Sequence, residues 1–313
     1  MTRILIILFV VTIFAGTGWF AYQYMNDQGY ATRPSTGNDA REASLNMAIF
    51  PRRIPQVTRK AFQPLANHLQ SALKRPIDLI TPTTYKEFWA GIKQGKYDIV
   101  HYNQYHYIES NSKFGYQAIV ANEEGNSRTI SGAIYVKSAK RGINTLPDLK
   151  GKTIIFGGGK KAMVSYIATT ALLKKAGLKK NDYKVVFSKN PPFAIVDAFM
   201  NKGEAAAAGA HLLNSKSIKK RIGTQGISKM RILAVGNPIT HLPWAVKADM
   251  PIKLREEIRN SMISLKASEK GKQILKAAMV TDFYSVSDRD YDRSRELIQY
   301  VTGENLSKTS SLQ

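Results

Sequence analysis

Hydrophobic positions along the chain fall into short runs that alternate with helical stripes. Apolar residues spaced three to five apart predict a helix over 57–75. Thr84 is a suitable N-cap for a second helix, which is expected to stop at Gly95. Around these helices, strands are predicted over 45–51, 77–82 and 97–102. Strand, helix, strand, helix, strand is typical of a parallel sheet covered by helices.

The same alternation starts again after the polar loop 122–128. Strands are predicted at SGAIYVKS, TIIFGGG, YKVVFS, EAAAAGA and KMRILAV. Helices are predicted over 162–176 and at PFAIVDAFMNKG, and most of the chain beyond Pro251 is expected to be helical. The repeated pattern predicts an α/β fold built from two lobes.

The predicted lobes are discontinuous in sequence. Lobe I takes 45–128 and 240–313, and lobe II takes 129–239. Small ligands bind at the carboxyl ends of strands in such folds, so we expect a ligand cleft between the lobes.

The N-terminus carries a hydrophobic segment over 1–25, followed by a linker-like polar stretch over 26–44. Arg3 precedes an apolar run from Ile4 to Tyr22, which could span a bilayer as a helix or act as a secretory signal. Its candidate cleavage site is poor, and its aromatic end suits a membrane interface. We therefore expect export to the periplasm or cell envelope with the segment kept as an inner-membrane anchor, cleavage being the alternative.

Charge and composition narrow the function further. The chain has 46 Lys and Arg against 23 Asp and Glu, and no cysteine. Twenty of the cations lie in 129–235 with only four acidic residues, so this region should attract anions or simply be a solvated basic face. No nucleic-acid motif, metal-ligand spacing or catalytic set is evident. We predict no nucleic-acid partner, no metal, no cofactor and no enzymatic activity.

A glycine-rich turn, FGGGKKAMVSY, begins at Phe156. It does not complete the phosphate-loop pattern, yet free N–H groups and the dipole of a following helix favour an anion there. The alternative is a solvated turn between a strand and a helix.

Several stretches resemble the periplasmic phosphate/phosphite/phosphonate-binding proteins of ABC transporters. The similar stretches are SGAIYVKSAKRGINTLPDLKGKTIIFGGG, FQPLANHLQSAL, TYKEFWAGIKQGKYDIVHYNQYHYI and SDRDYDRSRELI, in the family's order over about residues 45–300. The resemblance implies a two-lobed type II periplasmic-binding-protein fold. It also implies capture of a small anion of the phosphate, phosphite or phosphonate kind for an ABC permease.

The resemblance also places the expected ligand site. The family's hydroxyl cluster falls on 161–164, where no hydroxyl is present, and its acidic residue falls on Ala206. Backbone N–H groups and the two lysines of the glycine turn would have to hold the anion instead. Arg52 and His211 are further candidates, with an exposed arginine of no special role as the alternative for Arg52. The predicted ligand-binding residues are Tyr85, Tyr102, Asn103, Gln104, Tyr105, Gly158, Gly159, Lys160, Lys161 and Asn190.

The altered site leaves a second function open. The fold could serve as a membrane-tethered sensor or partner-binding domain, with a sensor kinase or cyclase as partner in place of the permease.

Overall fold

The computed structural model describes residues 43–139 and 142–307. The predicted N-terminal anchor and most of the linker lie outside these residues. No helix in the described part of the chain is long and apolar enough to cross a bilayer. The described chain forms two mixed β-sheets and a two-stranded ribbon, with nine α-helices around them.

The elements follow one another in this order. The strands are β1 (Leu45–Ile49), β2 (Ile77–Ile80), β3 (Ile99–His101), β4 (Gln117–Glu123), β5 (Thr129–Ile130), β6 (Gly132–Lys137), β7 (Thr153–Gly157), β8 (Lys184–Ser188), β9 (Ala205–Gly209), β10 (Met230–Val235), β11 (Ile239–Thr240), β12 (Pro243–Val246) and β13 (Asp282–Ser285). The helices are α1 (Pro55–Leu73), α2 (Tyr85–Lys93), α3 (Gln104–Phe114), α4 (Thr169–Lys175), α5 (Pro191–Phe199), α6 (Lys216–Ser228), α7 (Ile252–Ile263), α8 (Glu269–Ala278) and α9 (Asp292–Thr302).

The first sheet has the strand order β13–β4–β12–β3–β1–β2, and the second has β10–β6–β9–β7–β8. The ribbon pairs β5 with β11 where the chain passes between the sheets. The parallel pairing predicted for the strands over 45–102 is confirmed, because β1 runs parallel to both β2 and β3. Each complete sheet is nevertheless mixed. In the first sheet β12 runs antiparallel to both β3 and β4, since it re-enters from the second sheet in the opposite direction.

Local sequence signals correctly predicted the helices α1 and α2. The helix α1 begins at a proline, which suits the first helical position, and it ends before Lys74, which has a positive φ of 53°. The Thr84 side chain accepts a hydrogen bond from the Glu87 N–H at 3.1 Å, which confirms the predicted N-cap.

Two helical features were not anticipated. The helix α3 is buried on every side over residues 104–111, so it has no polar face and gives no amphipathic pattern. The predicted helix 162–176 instead opens with a π-helical turn at Met163–Ala168, in which the Ala162 carbonyl accepts from the N–H groups of both Tyr166 and Ile167. The predicted helix is therefore present, but its first part is π-helical and only Thr169–Lys175 is α-helical.

The hydrophobic core has four clusters, and one of them connects the two sheets. Met163 and Ile167, which follow a strand of the second sheet, pack in the same cluster as Phe50, Tyr105 and Leu242 from the first sheet and its helices. A polar contact also joins α4 to α9, where Lys174 donates to the Tyr300 carbonyl at 2.6 Å. These contacts fix the loops at the carboxyl ends of β1 and β7, where the candidate site lies.

Candidate functional site

Two pairs of adjacent cations lie at the carboxyl ends of parallel strands. Arg52 and Arg53 follow β1 of the first sheet, whereas Lys160 and Lys161 follow β7 of the second. Ligands of open α/β sheets bind at this edge, so both pairs are in a suitable position to meet an anion.

The two arginines have different surroundings. Arg52 lies 3.6 Å from the Glu124 carboxylate, and its guanidinium is 5.8 Å from the ring centre of Phe50. Arg53 is half-buried, and its guanidinium makes no hydrogen bond or ion pair with any residue in the described part of the chain. Burial and then the charge of Arg52 lower the pKa of Arg53 to about 10, with Glu124 acting in the opposite direction. Arg53 is thus a partly desolvated cation without its own counter-ion.

Glu124 lies between Arg52 and a buried imidazole. Its carboxylate is 4.0 Å from Nε2 of His241, and Nδ1 of that ring accepts a hydrogen bond from the Leu242 N–H at 2.9 Å. The proton of the neutral ring therefore belongs on Nε2, facing the carboxylate. Burial alone would raise the pKa of Glu124, but Arg52, His241 and a hydrogen bond from Asn122 lower it overall.

The second sheet contributes a histidine to the surroundings of Arg52 and Glu124. His211 follows β9, and although much of its ring is exposed, desolvation lowers its pKa. Glu124 acts to raise that pKa and Arg52 acts to lower it, so both lie within electrostatic reach of His211. The arginine cluster, defined as Arg52, Arg53, Glu124, His211 and His241, thus draws on both sheets.

An aromatic wall adjoins this cluster. Tyr85 stacks on His106 with ring centres 5.0 Å apart, and its ring is 40% exposed. Burial of the hydroxyl end raises the pKa of Tyr85 to about 12, with Arg52 and Asn103 acting in the opposite direction. His106 is 8% exposed, and its Nδ1 is buried without a hydrogen-bond partner among the residues that the structure describes. An unsatisfied buried nitrogen next to an exposed aromatic ring suggests a place for a guest molecule.

The two lysines also differ from each other. Lys161 Nζ lies 2.6 Å from Glu109 on α3, and 5.6 and 5.2 Å from the ring centres of Trp89 and Tyr105. Lys160 is exposed and has no hydrogen-bond or ion-pair partner among the residues that the structure covers. Of these two lysines, Lys161 is therefore the one that contacts the helices of the first sheet.

The remaining predicted residues of the first sheet serve mainly in packing and capping. Tyr102 is fully buried and shares a hydrogen bond of 2.8 Å with Ser110. Asn103 caps α3 by accepting from the His106 N–H at 2.9 Å. Gln104 is fully buried, and it donates to the Thr240 carbonyl while its Oε1 has no partner within 43–139 and 142–307. Of these three, Asn103 is the one that retains exposure beside Tyr85.

The glycine turn is tightly packed on one side. A Cβ on Gly157 would lie 2.2 Å from the Pro191 backbone, and Gly158 has a φ of 95°. The Gly159 carbonyl accepts from the Ala162 N–H within the turn. Asn190 caps α5 by accepting from Phe193, and the two prolines between them offer no N–H to a ligand. The end of α5 that faces the glycine turn is therefore a poor anion site.

Sequence reasoning missed most of the arginine cluster. The adjacent arginines directly after a strand were the available signal for Arg53. Glu124 and His241 lie on the two crossing segments, and no spacing in the sequence relates them. Trp89, His106 and Glu109 likewise come together only through folding. No group of three or more His, Asp or Glu in the described ranges is arranged to hold a metal ion.

Comparison with known proteins gives a consistent picture. The sequence profile of a family described as "ABC transporter, phosphonate, periplasmic substrate-binding protein" matches residues 47–291. Among solved structures, XAC2383 from Xanthomonas citri bound to ATP has a TM-score of 0.71 at 13% identity, covering 84% of this chain and 99% of that one.

Two further structures come from phosphonate systems. PhnD1 from Prochlorococcus marinus in complex with methylphosphonate has a TM-score of 0.70 at 14% identity, with 83% and 99% coverage of the two chains. A binding-protein component of an ABC phosphonate transporter from Pseudomonas aeruginosa has a TM-score of 0.68 at 12% identity, with 86% and 90% coverage. At these identities the structural matches establish a periplasmic-binding-protein-like α/β fold.

Proposed function

Because the chain belongs to the family of periplasmic phosphonate-binding proteins of ABC transporters, we propose that it captures a small anion between its two sheets and presents it to a permease. The two lobes of this capture device are 45–128 with 240–313, and 129–239. The ligand class is that of phosphate, phosphite and simple phosphonates. The periplasm is the compartment in which the family works.

One observation carries the proposal, namely the half-buried guanidinium of Arg53. A partly desolvated charge costs free energy unless a counter-charge and hydrogen bonds compensate it. Arg52 cannot supply that compensation, and Glu124, the carboxylate that acts on Arg53 electrostatically, is already shared with Arg52 and His241. A bound oxyanion would pair with Arg53 through its planar set of donors.

The surroundings of Arg53 favour a small guest. Tyr85 offers an exposed ring and a hydroxyl on the side of the first sheet, and His211 offers an imidazole from the second. Gly158 and Gly159 of the glycine turn remain predicted contacts on the opposite side, through their backbone N–H groups. A ligand that touches both sides would be stabilised by closure around it.

Thermal-shift titration tests this proposal directly. Phosphate, phosphite, methylphosphonate and sulfate would be compared at equal ionic strength, since a ligand that binds the native state raises Tm. We expect stabilisation by at least one of these anions in the wild-type chain and its loss in Arg53→Met. If none of them stabilises the wild-type protein at millimolar concentration, capture of this ligand class is wrong.

A second function has its own observation in support. The ion pair of 2.6 Å between Lys161 and Glu109 already joins the two sheets without any solute. A domain that is held closed by its own side chains would suit a sensor or a partner-binding module. Affinity purification from membranes distinguishes the two functions, because a permease and its ATPase would support transport, whereas a kinase or cyclase would support sensing.

We also propose that the segment from Ile4 to Tyr22 anchors the protein in the inner membrane. Its poor candidate cleavage site and its aromatic end support an anchor over a cleaved signal. An anchored protein keeps Met1 and stays with membranes after washing with high salt and carbonate, whereas attachment through surface charge is released by salt. A mature N-terminus near Trp19 would contradict the anchor.

A further inference from the structure

Lys161 lies in a small box made by three side chains of the first sheet's helices. The ammonium box consists of Trp89 on α2 with Tyr105 and Glu109 on α3. The lysine nitrogen is 5.6 Å from the indole centre, 5.2 Å from the phenol ring centre and 2.6 Å from the carboxylate. Two aromatic faces and one carboxylate around a single cation form the arrangement by which proteins recognise organic ammonium groups.

Contacts other than those to Lys161 hold the box in place. The Tyr105 hydroxyl donates to Glu304 at 2.7 Å, and Glu109, which is only 5% exposed, also pairs with Lys113 at 2.7 Å. The ring of Trp89 packs against Phe114 and His106 at 5.9 and 5.8 Å. The box would therefore keep its shape if the lysine side chain were removed.

A further observation indicates that the box and its surroundings are suited to a ligand. Trp89 and Tyr105 both pack against His106, whose Nδ1 is buried and unsatisfied. The Lys161 side chain itself is 45% exposed, so the site opens to solvent along the lysine stem. A small ammonium compound could enter by the path that this stem occupies.

We propose that the ammonium box is a binding site for a primary alkylammonium group, and that Lys161 is its built-in ligand. The lysine reaches the box from the turn after β7, so its ammonium connects the second sheet to the first. In the wild-type chain the lysine excludes free amines from the box. Lys161 is thus a specificity-determining residue that rejects solutes carrying an ammonium group at this point.

Chemical rescue tests the proposal without reference to the anion. Lys161→Ala should lower Tm by about 2–4 °C, because one charge-assisted contact between the sheets is lost. Propylammonium chloride at tens of millimolar should restore a large part of this loss, compared with sodium chloride at equal ionic strength. The wild-type protein should gain nothing from propylammonium.

Matched variants make the result specific. Lys160→Ala removes the neighbouring exposed lysine and should show neither the loss nor the rescue. Lys161→Ala with Glu109→Gln should lose the rescue, because the carboxylate of the box is gone. Lys161→Met, which keeps the apolar stem, should also resist rescue since its side chain still fills the entry path.

Tryptophan emission gives a second readout, because a cation over an indole perturbs its fluorescence. Propylammonium should shift the emission of Lys161→Ala in a saturable way, and an added Trp89→Phe change should abolish the shift. Rescue that is equal in Lys160→Ala and Lys161→Ala, or rescue that survives Glu109→Gln, would overturn the proposal. Because no oxyanion is used, these results hold whether or not the chain captures phosphonates.

Discussion

The arginine pair after β1 and the lysine pair after β7 are built alike, and the comparison shows where an anion should bind. In each pair one cation contacts a glutamate of the first sheet or its helices: Arg52 contacts Glu124, and Lys161 contacts Glu109. The remaining members differ in burial, since Arg53 is half-buried and Lys160 is exposed. A solvated lysine has water as its partner, whereas a half-buried arginine without a carboxylate requires another counter-charge.

The difference in burial between Arg53 and Lys160 indicates that local burial of a cation, and not the number of cations, marks a binding site. The net charge of +23 and the basic region 129–235 direct attention to the second sheet. Most of that charge is on exposed lysines, whose field is screened within about 10 Å at ordinary salt. The cation with the largest uncompensated cost lies instead in the first sheet, which is less basic.

Lowering the pH should have the largest effect on the free energy of unfolding, because a buried neutral histidine lies beside each of the two cation pairs. Burial first, and then nearby cations, lower the pKa of His241 and of His106 to about 4, with glutamates opposing. Protonation below the unfolded value of about 6.5 then favours the unfolded chain. Each ring contributes stability that is fully present above pH 6.5 and is lost as the pH falls toward 4, on the order of 3 kcal/mol per ring.

Urea denaturation between pH 7.5 and pH 4.5 measures this loss. His106→Gln, beside the lysine pair, should make the free energy of unfolding depend less on pH. His241→Asn, in the arginine cluster, should do the same. If the free energy of unfolding were constant over this range, neither ring would be held neutral by its surroundings.

Removal of the Arg53 guanidinium should have the next largest effect, in this case on anion affinity. We expect Arg53→Met to weaken anion binding by about ten- to a hundredfold, because a charge-assisted hydrogen bond in a closed site contributes roughly 1.5–3 kcal/mol. The anion affinity of Arg53→Lys should lie between those of the wild type and Arg53→Met, since lysine keeps the charge but lacks the planar set of donors. Isothermal titration with the anion that stabilises the wild-type chain most would measure both.

The unliganded variant provides the control. Without ligand, Arg53→Met should not unfold more easily than the wild type, because it removes an uncompensated charge. A clear loss of stability in the ligand-free protein would assign Arg53 a structural role instead.

Neutralising Glu124 should act in the opposite direction on binding. Glu124→Gln keeps the shape of the side chain and removes the carboxylate that Arg52 and His241 share. With one negative charge fewer in the cluster, we expect anion affinity to rise several-fold, or by about 1 kcal/mol. The ligand-free protein should become less stable at the same time. Weaker binding in this variant would mean that Glu124 itself contacts the solute.

The sequence was informative wherever local patterns determine local structure. The cap at Thr84, the stripe of α1, strands β1 to β3 of the first sheet and the five strands of the second sheet were predicted from spacing and end signals. Strand β4 of the first sheet was not predicted. The helix α3 could not be found in this way, because the side chains at 104–111 are all buried. Strands β12 and β13 complete a sheet begun far upstream, and no local pattern indicates such pairing.

The candidate site was partly predictable for a similar reason. The glycine turn and its position in the family resemblance led to Lys160 and Lys161, and the position directly after the first strand led to Arg52. Tertiary contacts decide which of two adjacent cations is buried, and these contacts cannot be read from the local sequence. Glu109 is 52 residues from Lys161 in the chain, so the pairing of one lysine and not the other was not visible before folding.

The smallest effect should come from Lys160, and it tests the comparison most sharply. Its ammonium is exposed and has no partner among the described residues. Lys160→Ala should therefore change anion affinity by less than about twofold, because exposed charges act only through a screened field. Lys175→Ala is the matched control, since Lys175 is also exposed and lies on the same half of the chain. Lys174 is unsuitable, because it donates to the Tyr300 carbonyl and lies 4.4 Å from the centre of that ring. Titrations at low and at physiological salt would compare the two variants. A tenfold loss in Lys160→Ala that Lys175→Ala does not share would mean that Lys160 itself pairs with the anion, and it would reverse the ranking of the two cation pairs.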